Sequence, residues 1–330
     1  MIGLKAEKLP SSLPLKMSFD SERIQEELKI VNSFSWIPEE PFSFKDLWGS
    51  SPEIFHDGKW KGLSLRSQGG RWDKSDPGGP GLEPFEETAI LKHTPYFKEI
   101  IDSFKCYKRS VRLSLLPAGA SIQEHCDTYH DFKYGQIRLH IPLVTHEDVM
   151  LVIDGDRYQW EAGQVWYGNF AKPHRVENNS PLDRIHMILD VIINDFVLNL
   201  FPEDFIAKVR TNGIIEHQEP VNLPKENLEK FECKFIIPAA LMKGIFETDD
   251  GIPGEFNASI KIQADRLVFF VEERPLISLV PISPTRFCFT GWTCERYLEF
   301  ETFNNSVCDL QLVICSGRHK TRINLPLFND

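Results

Sequence analysis

The residues from Ala120 to Phe132, ASIQEHCDTYHDF, place two histidines, two aspartates and a cysteine directly after the apolar run VRLSLLP. On an extended chain side chains alternate with period two, so His125 and Asp127 share one face and can enter one pocket. A third partner must come from downstream, where histidines stand at 130, 140, 146, 174, 186, 217 and 319. His174 stands out among them, because WEAGQVWYGNFAKPH reads as a strand, a short loop and then a histidine opening the next strand. Antiparallel pairing would return it to the face of His125 and Asp127. Two imidazoles and one carboxylate leave three positions open on a metal, the arrangement of non-haem Fe(II) oxygenases. Arg184, ten residues after His174, could grip the carboxylate of a dicarboxylate cosubstrate through two parallel hydrogen bonds.

These residues need strands to position them. From Tyr107 to Ile193 the runs KRSVRLSLL, QIRLHIPLV, VMLVI, RYQW, QVWYGNF, HRVEN and RIHMILDVI are parted by turn signals such as PAGAS, DGD, EAG and NNSPLD. VMLVIDGDRYQW reads as a hairpin around Asp154-Gly155. Short strands at this spacing predict a sandwich or barrel, the group that contains the jelly roll. Upstream, DSERIQEELKIV predicts a helix capped by Asp20, and TPYFKEIIDSF a helix with Thr94 as cap and Pro95 at its first position. Between them SQGGRWDKSDPGGPGLEP, Ser67 to Pro84, is a long Gly- and Pro-rich loop. After a linker-like stretch ending near residue 230, eight more strand-like runs predict a small antiparallel β-barrel. The expected organisation is therefore a domain over 1–205, a linker over 206–230 and a barrel domain over 231–330.

Composition narrows the partners. The net charge of −11, with no basic tract, argues against nucleic acid and against an anionic membrane surface. There is no run of 18 apolar residues and no continuous apolar stretch at the start, so neither a membrane span nor a signal peptide is expected. Seven cysteines without CxxC spacing read as reduced thiols in a cytoplasmic protein and leave no thiolate zinc site.

The segments RLSLLPAGASIQEHCD, GQIRLHIPLV and WEAGQVWYGNFAKPHRVENNSPLDRIHMILDV together resemble the aspartyl/asparaginyl β-hydroxylase family of Fe(II)- and 2-oxoglutarate-dependent dioxygenases, which includes bacterial proline hydroxylases. The resemblance covers roughly residues 55–195. It implies a mainly β protein with a double-stranded β-helix, or cupin-like jelly roll, carrying N-terminal helices; the C-terminal barrel lies outside it. It also implies His125, Asp127 and His174 as iron ligands, and Arg184 with Ser114 beside it for one end of 2-oxoglutarate. Arg138 and His140 match the pair that meets the cosubstrate's other end. The vertebrate aspartyl hydroxylase has Gly where this chain has Asp127; the full triad here is similar to that of the bacterial amino-acid hydroxylases. The implied reaction is hydroxylation of an unactivated C–H of an amino acid, free or in a peptide, with O2.

A lone His-X-Asp step occurs by chance in many chains, so the weight rests on its combination with His174 and Arg184. His130 and His146 lie in polar segments and are expected to be solvated, Cys126 to face away from the metal, and Asp183 and Asp190 to be a turn residue and a strand-end charge. Arg138 could equally be a cross-strand ion-pair partner. His186 alternates with Arg184 and so could line the pocket or pack in the core. With other arginines engaged, Arg66, Arg71 and Arg112 are the candidates for a substrate carboxylate. Arg66, Arg71 and Trp72 flank the Gly-rich loop, which could fold over the opening. The contrasting function is a non-catalytic cupin-like protein that binds a small ligand or another metal. Arg184 separates the two, since a simple metal cupin has no need of it. Oligomeric state is not legible.

Overall fold

The structure, a computed structural model, describes residues 9–39, 56–127, 129–242 and 254–328. Among the described residues the first region contains twelve strands in chain order: β1 (Ser12–Ser18), β2 (Ile37–Pro38), β3 (Lys61–Gln68), β4 (Phe85–Glu87), β5 (Lys108–Leu116), β6 (Ser121–His125), β7 (Gln136–Val144), β8 (Val149–Ile153), β9 (Asp156–Tyr158), β10 (Gln164–Gly168), β11 (His174–Asn178) and β12 (Arg184–Ile192). They form a major sheet in the order β1-β10-β7-β12-β5-β3-β2, with β4 beside β3, and a minor sheet in the order β6-β11-β8-β9. Apart from the β8–β9 hairpin within the minor sheet, successive strands from β5 to β12 cross between the two sheets, which is the double-stranded β-helix. The hairpin at Asp154-Gly155 forms as expected, both residues having positive φ, 53° and 84°.

Period-two alternation sorts the major sheet into two chemistries. Val111, Leu113 and Leu115 of β5, Ile137, Leu139 and Ile141 of β7, and Met187, Leu189 and Val191 of β12 lie on its outer face. They pack against helices α1 (Ser21–Val31) and α2 (Pro95–Ser103) in one apolar cluster that includes Ile24, Leu28, Phe97 and Ile100. Asp20 caps α1 by accepting from the backbone N–H groups of Glu22 and Arg23. Thr94 precedes α2 without capping it; its hydroxyl donates back to the carbonyl of Ile90. The intervening positions on β5, β7 and β12 point between the two sheets and carry the polar residues described below.

The chain leaves β12 through helices α3 (Asp195–Asn199) and α4 (Glu203–Asn212). Helix α4 straddles residue 205, and its Phe205, Ile206 and Val209 belong to the first apolar cluster. The stretch that follows is tied to both regions: Ile215 N–H donates to Phe132 O, and Val221 N–H to Pro281 O.

The second region is a curled antiparallel sheet of eight sequential strands, β13 (Cys233–Pro238), β14 (Glu255–Gln263), β15 (Arg266–Val271), β16 (Arg274–Pro281), β17 (Arg286–Phe289), β18 (Arg296–Phe303), β19 (Ser306–Ser316) and β20 (His319–Asn324). Its first strand meets the tail beyond β20, where Ile236 N–H donates to Pro326 O and Phe328 N–H to Lys234 O. The seven cysteines are all free.

The Gly-rich loop beyond β3 lies against this second region. Ser278 N–H donates to Gly81 O, Gly81 N–H to Thr290 O, and the Gln68 amide holds Gly79 through both its oxygen and its nitrogen. Gly291 sits with φ 74°, and a Cβ there would come 1.9 Å from Gly79 O, so the seam requires glycine.

Candidate metal centre

His125 ends β6 and His174 begins β11, and the two are register partners. Their ring centroids stand 4.2 Å apart. Asp127, fixed by its N–H to Phe170 O at 2.8 Å, follows two residues after His125. One ligand atom from each of the three lies within 4.8 Å of the others. Each histidine donates Nδ1–H to a main-chain carbonyl, His125 to Gln123 O (2.8 Å) and His174 to Lys172 O (2.9 Å). That puts the lone pair of each ring on Nε2, the tautomer a metal requires. Burial would raise the Asp127 carboxyl, but Arg138 with His130, His174 and His125 outweighs it and holds it well below the usual carboxylate range. The donor set, two imidazoles and a carboxylate, fits a ferrous ion.

Arg138, on β7, is fully engaged. Its Nη1 donates to Asp127 Oδ2 (2.5 Å), while Nε and Nη2 grip Asp190 at 2.7 and 3.0 Å. Arg138 is thus an ion-pair partner of two carboxylates, the alternative that its sequence position left open beside a cosubstrate contact. Asp190, expected as a strand-end charge, lies buried opposite Arg138 on β12. His130, expected in solvent, comes within 3.4 Å of Asp190 Oδ1 and 2.8 Å of the Gln136 amide.

Arg184 opens β12 and is buried, and its Nε has no hydrogen-bond partner among the described residues. Its Nη2 donates to His186 Nδ1 at 2.9 Å. No carboxylate offsets the burial, which pushes the guanidinium down to about 9. His140 Nδ1 lies 3.3 Å from the same His186 nitrogen, so His140 donates there and His186 carries its proton on Nε2. Both imidazoles are held far below the usual histidine range, by burial first and then by Arg184, and are neutral. Each Nε2 is buried without a partner among the described residues, as is Trp166 Nε1. Ser114, the register partner of His186, accepts from Trp60 Nε1 at 2.7 Å.

Arg66 and Arg71 stand apart from this cluster. Arg66 donates to the carbonyls of Lys108 and Phe85, pinning β3 to its neighbours, and Arg71 pairs with Asp73 on an exposed loop that also bears Trp72. Arg112 does face inward, beside Asp190. Sequence reasoning missed Glu39, a buried carboxylate after β2, and Trp160, whose ring stacks on His186 and Trp166. Asp190 had a signal, since it keeps phase with Arg184 and His186. Glu39 had none, because β2 is two residues long.

A family profile described as Aspartyl/Asparaginyl beta-hydroxylase matches residues 19–193, reaching further toward the N-terminus than the segments quoted above. Among solved structures, the chain is similar to a 2OG-Fe(II) oxygenase family oxidoreductase from Burkholderia pseudomallei, with 12% identity over 55% of this chain and 85% of that one and a TM-score of 0.37. A Trichoplax adhaerens prolyl hydroxylase, solved with a hypoxia inducible factor peptide fragment, has 10% identity over 55% and 83%, with a TM-score of 0.36. A prolyl-4-hydroxylase from Pseudomonas putida has 13% identity over 56% and 93%, with a TM-score of 0.33. Among the described residues, no helix is long and apolar enough to cross a membrane.

Proposed function

The chain belongs to the aspartyl/asparaginyl β-hydroxylase family, and from that premise we propose that it is an Fe(II)- and 2-oxoglutarate-dependent dioxygenase that hydroxylates an unactivated C–H of an amino acid. The observation that carries this reading is the pairing of a His-Asp-His cluster with a buried guanidinium that no carboxylate neutralises. His125, Asp127 and His174 would hold the metal. When bound, iron and 2-oxoglutarate supply the oxidation that puts one atom of O2 on the substrate carbon and the other into succinate.

The chain's own residues do the rest. Arg138 keeps Asp127 ionised and aimed, and Asp190 keeps Arg138 in place. Arg184 would take the distal carboxylate of the cosubstrate in a charge-assisted pair, which restores a counter-charge to a cation otherwise buried alone. His186 Nε2–H offers a donor and His140 Nε2 an acceptor at the same end of the chamber. Trp160 and Phe170, packed on these rings, exclude water from it.

Anaerobic reconstitution with Fe(II) and 2-oxoglutarate, followed by a succinate-release screen over free amino acids and peptides, tests the proposal. His174→Ala serves as the blank. A wild-type protein that binds neither Fe(II) nor 2-oxoglutarate would leave the non-catalytic cupin-like reading.

A further inference from the structure

A second guanidinium stands open inside the jelly roll. Arg112 is on the inner face of β5, directly opposite Ile188 of β12, whose other register partner is His140 on β7. Its Nε lies 3.5 Å from Glu39 Oε1 and its Nη1 3.9 Å from Asp190 Oδ2. Neither nitrogen makes a hydrogen bond among the described residues, and neither does Glu39 Oε2. Both side chains are buried, 2% and 4% exposed. The contrast with Arg138 is sharp, since that guanidinium binds its two carboxylates at 2.5 to 3.0 Å. Glu39 is also built into its place. Its N–H donates to Trp60 O, and its carboxylate rests on Gly62, where a Cβ would come within 2.6 Å of Oε2.

Opposite charges buried this close, each with unused hydrogen-bonding capacity, are costly unless a third group satisfies both. That group needs an anion for Arg112 and a cationic donor for Glu39 a few ångströms apart. An α-amino acid zwitterion has both; a residue inside a peptide has neither.

We propose that Arg112 and Glu39 form the recognition pair for a free α-amino acid, Arg112 taking the α-carboxylate and Glu39 the α-ammonium. This deepens the hydroxylase reading and rests on it. The pair is linked to the metal cluster through two shared carboxylates. Arg112 neighbours Asp190, Asp190 is gripped by Arg138, and Arg138 holds Asp127. Burial pushes the Glu39 carboxyl up to about 7, a penalty that an incoming ammonium would relieve.

The test is calorimetric and does not need turnover. Full-length protein is loaded anaerobically with Fe(II) and 2-oxoglutarate, and the binding of both is measured first. The proteinogenic free L-amino acids are then titrated one at a time, and each that binds is compared with its amide and its N-acetyl derivative. The expected result is that one or a few free amino acids bind and that both capped forms bind at least about tenfold more weakly, as loss of a buried charged contact requires. Arg112→Gln should abolish the preference for acid over amide, and Glu39→Gln the preference for free over acetylated amine. Arg112→Lys, which keeps the charge, should retain part of the first preference and covers the case in which the glutamine variant does not fold. Failure of Fe(II) and 2-oxoglutarate to bind would sink the hydroxylase reading itself. With both bound, no amino acid binding, equal binding of capped and free forms, or wild-type preferences in the variants would each overturn the pair. Equal weakening of every form in both variants would also overturn it, and would assign the gap to a bridging water.

Discussion

Along β15 and β17 of the C-terminal sheet the inward positions carry Leu267, Phe269, Val271, Phe287 and Phe289. Along β7 and β12 of the jelly roll they carry Arg138, His140, Arg184, His186 and Asp190. Both regions are curled antiparallel β structures ruled by the same alternation, yet one interior is a core and the other a chamber. The difference lies in what covers the outside. The C-terminal sheet's principal apolar cluster is its interior, so that face supplies its cohesion, at about 1.5–3 kcal/mol for each large side chain buried. The jelly roll places its main apolar cluster on the outer face of the major sheet, beneath α1 and α2. Its interior keeps only a smaller apolar cluster, with Leu116, Ile122, Leu151, Ile153, Trp160 and Phe170, and along β7 and β12 it can hold charges whose burial costs several kcal/mol per ion.

The comparison is broken most directly at the metal cluster. His174→Ala should eliminate stoichiometric Fe(II) binding while the circular dichroism spectrum and unfolding midpoint stay near wild type, because the chamber is not the core; a collapsed fold would contradict this. In the other region Phe269→Ala should destabilise the C-terminal sheet by about 3–5 kcal/mol, read by denaturant unfolding, while Fe(II) affinity is unchanged. Arg184→Gln should weaken 2-oxoglutarate binding by about 2–5 kcal/mol, because a carboxylate would be left underpaired in a buried site, and Arg184→Lys should recover only part of that. Titrating 2-oxoglutarate into the Fe(II)-loaded variants decides it.

The subtlest effect is on pH dependence. Glu39 is raised to about 7 in the fold from the ordinary 4.5, so the folded chain keeps a proton that the unfolded chain has released. Its contribution to stability is full below about 4.5 and is lost as pH rises through about 7, a change of about 3 kcal/mol. Glu39→Gln should flatten that part of the stability profile between about pH 5 and about pH 8. An unchanged slope would show that the carboxylate is not raised.

What could be read from sequence follows the same division. Strands, hairpin and helices were legible because alternation and turn chemistry are local. The nomination of His125, Asp127, His174 and Arg184 needed only strand phase and the return of an antiparallel neighbour, and the structure brings the first three together with Arg184 buried on the next strand. Asp190 was misjudged although its phase was correct, because nothing local shows that Arg138 stands opposite it. The Gly-rich loop reads in sequence only as one that could fold over the opening, and its seat on the second region depends on Gly291, more than 200 residues away. Glu39 depends on a two-residue pairing with Lys61 and Gly62, for which no periodic signal exists.

Strand β1 covers an edge that would otherwise be a hazard. It pairs with β10, placing Ser12 opposite Gly168, Leu13 opposite Tyr167 and Pro14 opposite Trp166. Without it, β10 would present unpaired N–H and C=O groups along an aromatic strand, a template for pairing with another chain. The edge that β1 presents instead carries Pro14, which has no N–H to offer, and an exposed Lys16 whose own N–H is already given to Leu200 O. β1 (Ser12–Ser18) thus acts as a guard against aggregation as well as a structural strand. A chain expressed from residue 19 onward should keep every metal ligand yet lose solubility, forming β-rich oligomers through the bare β10 edge.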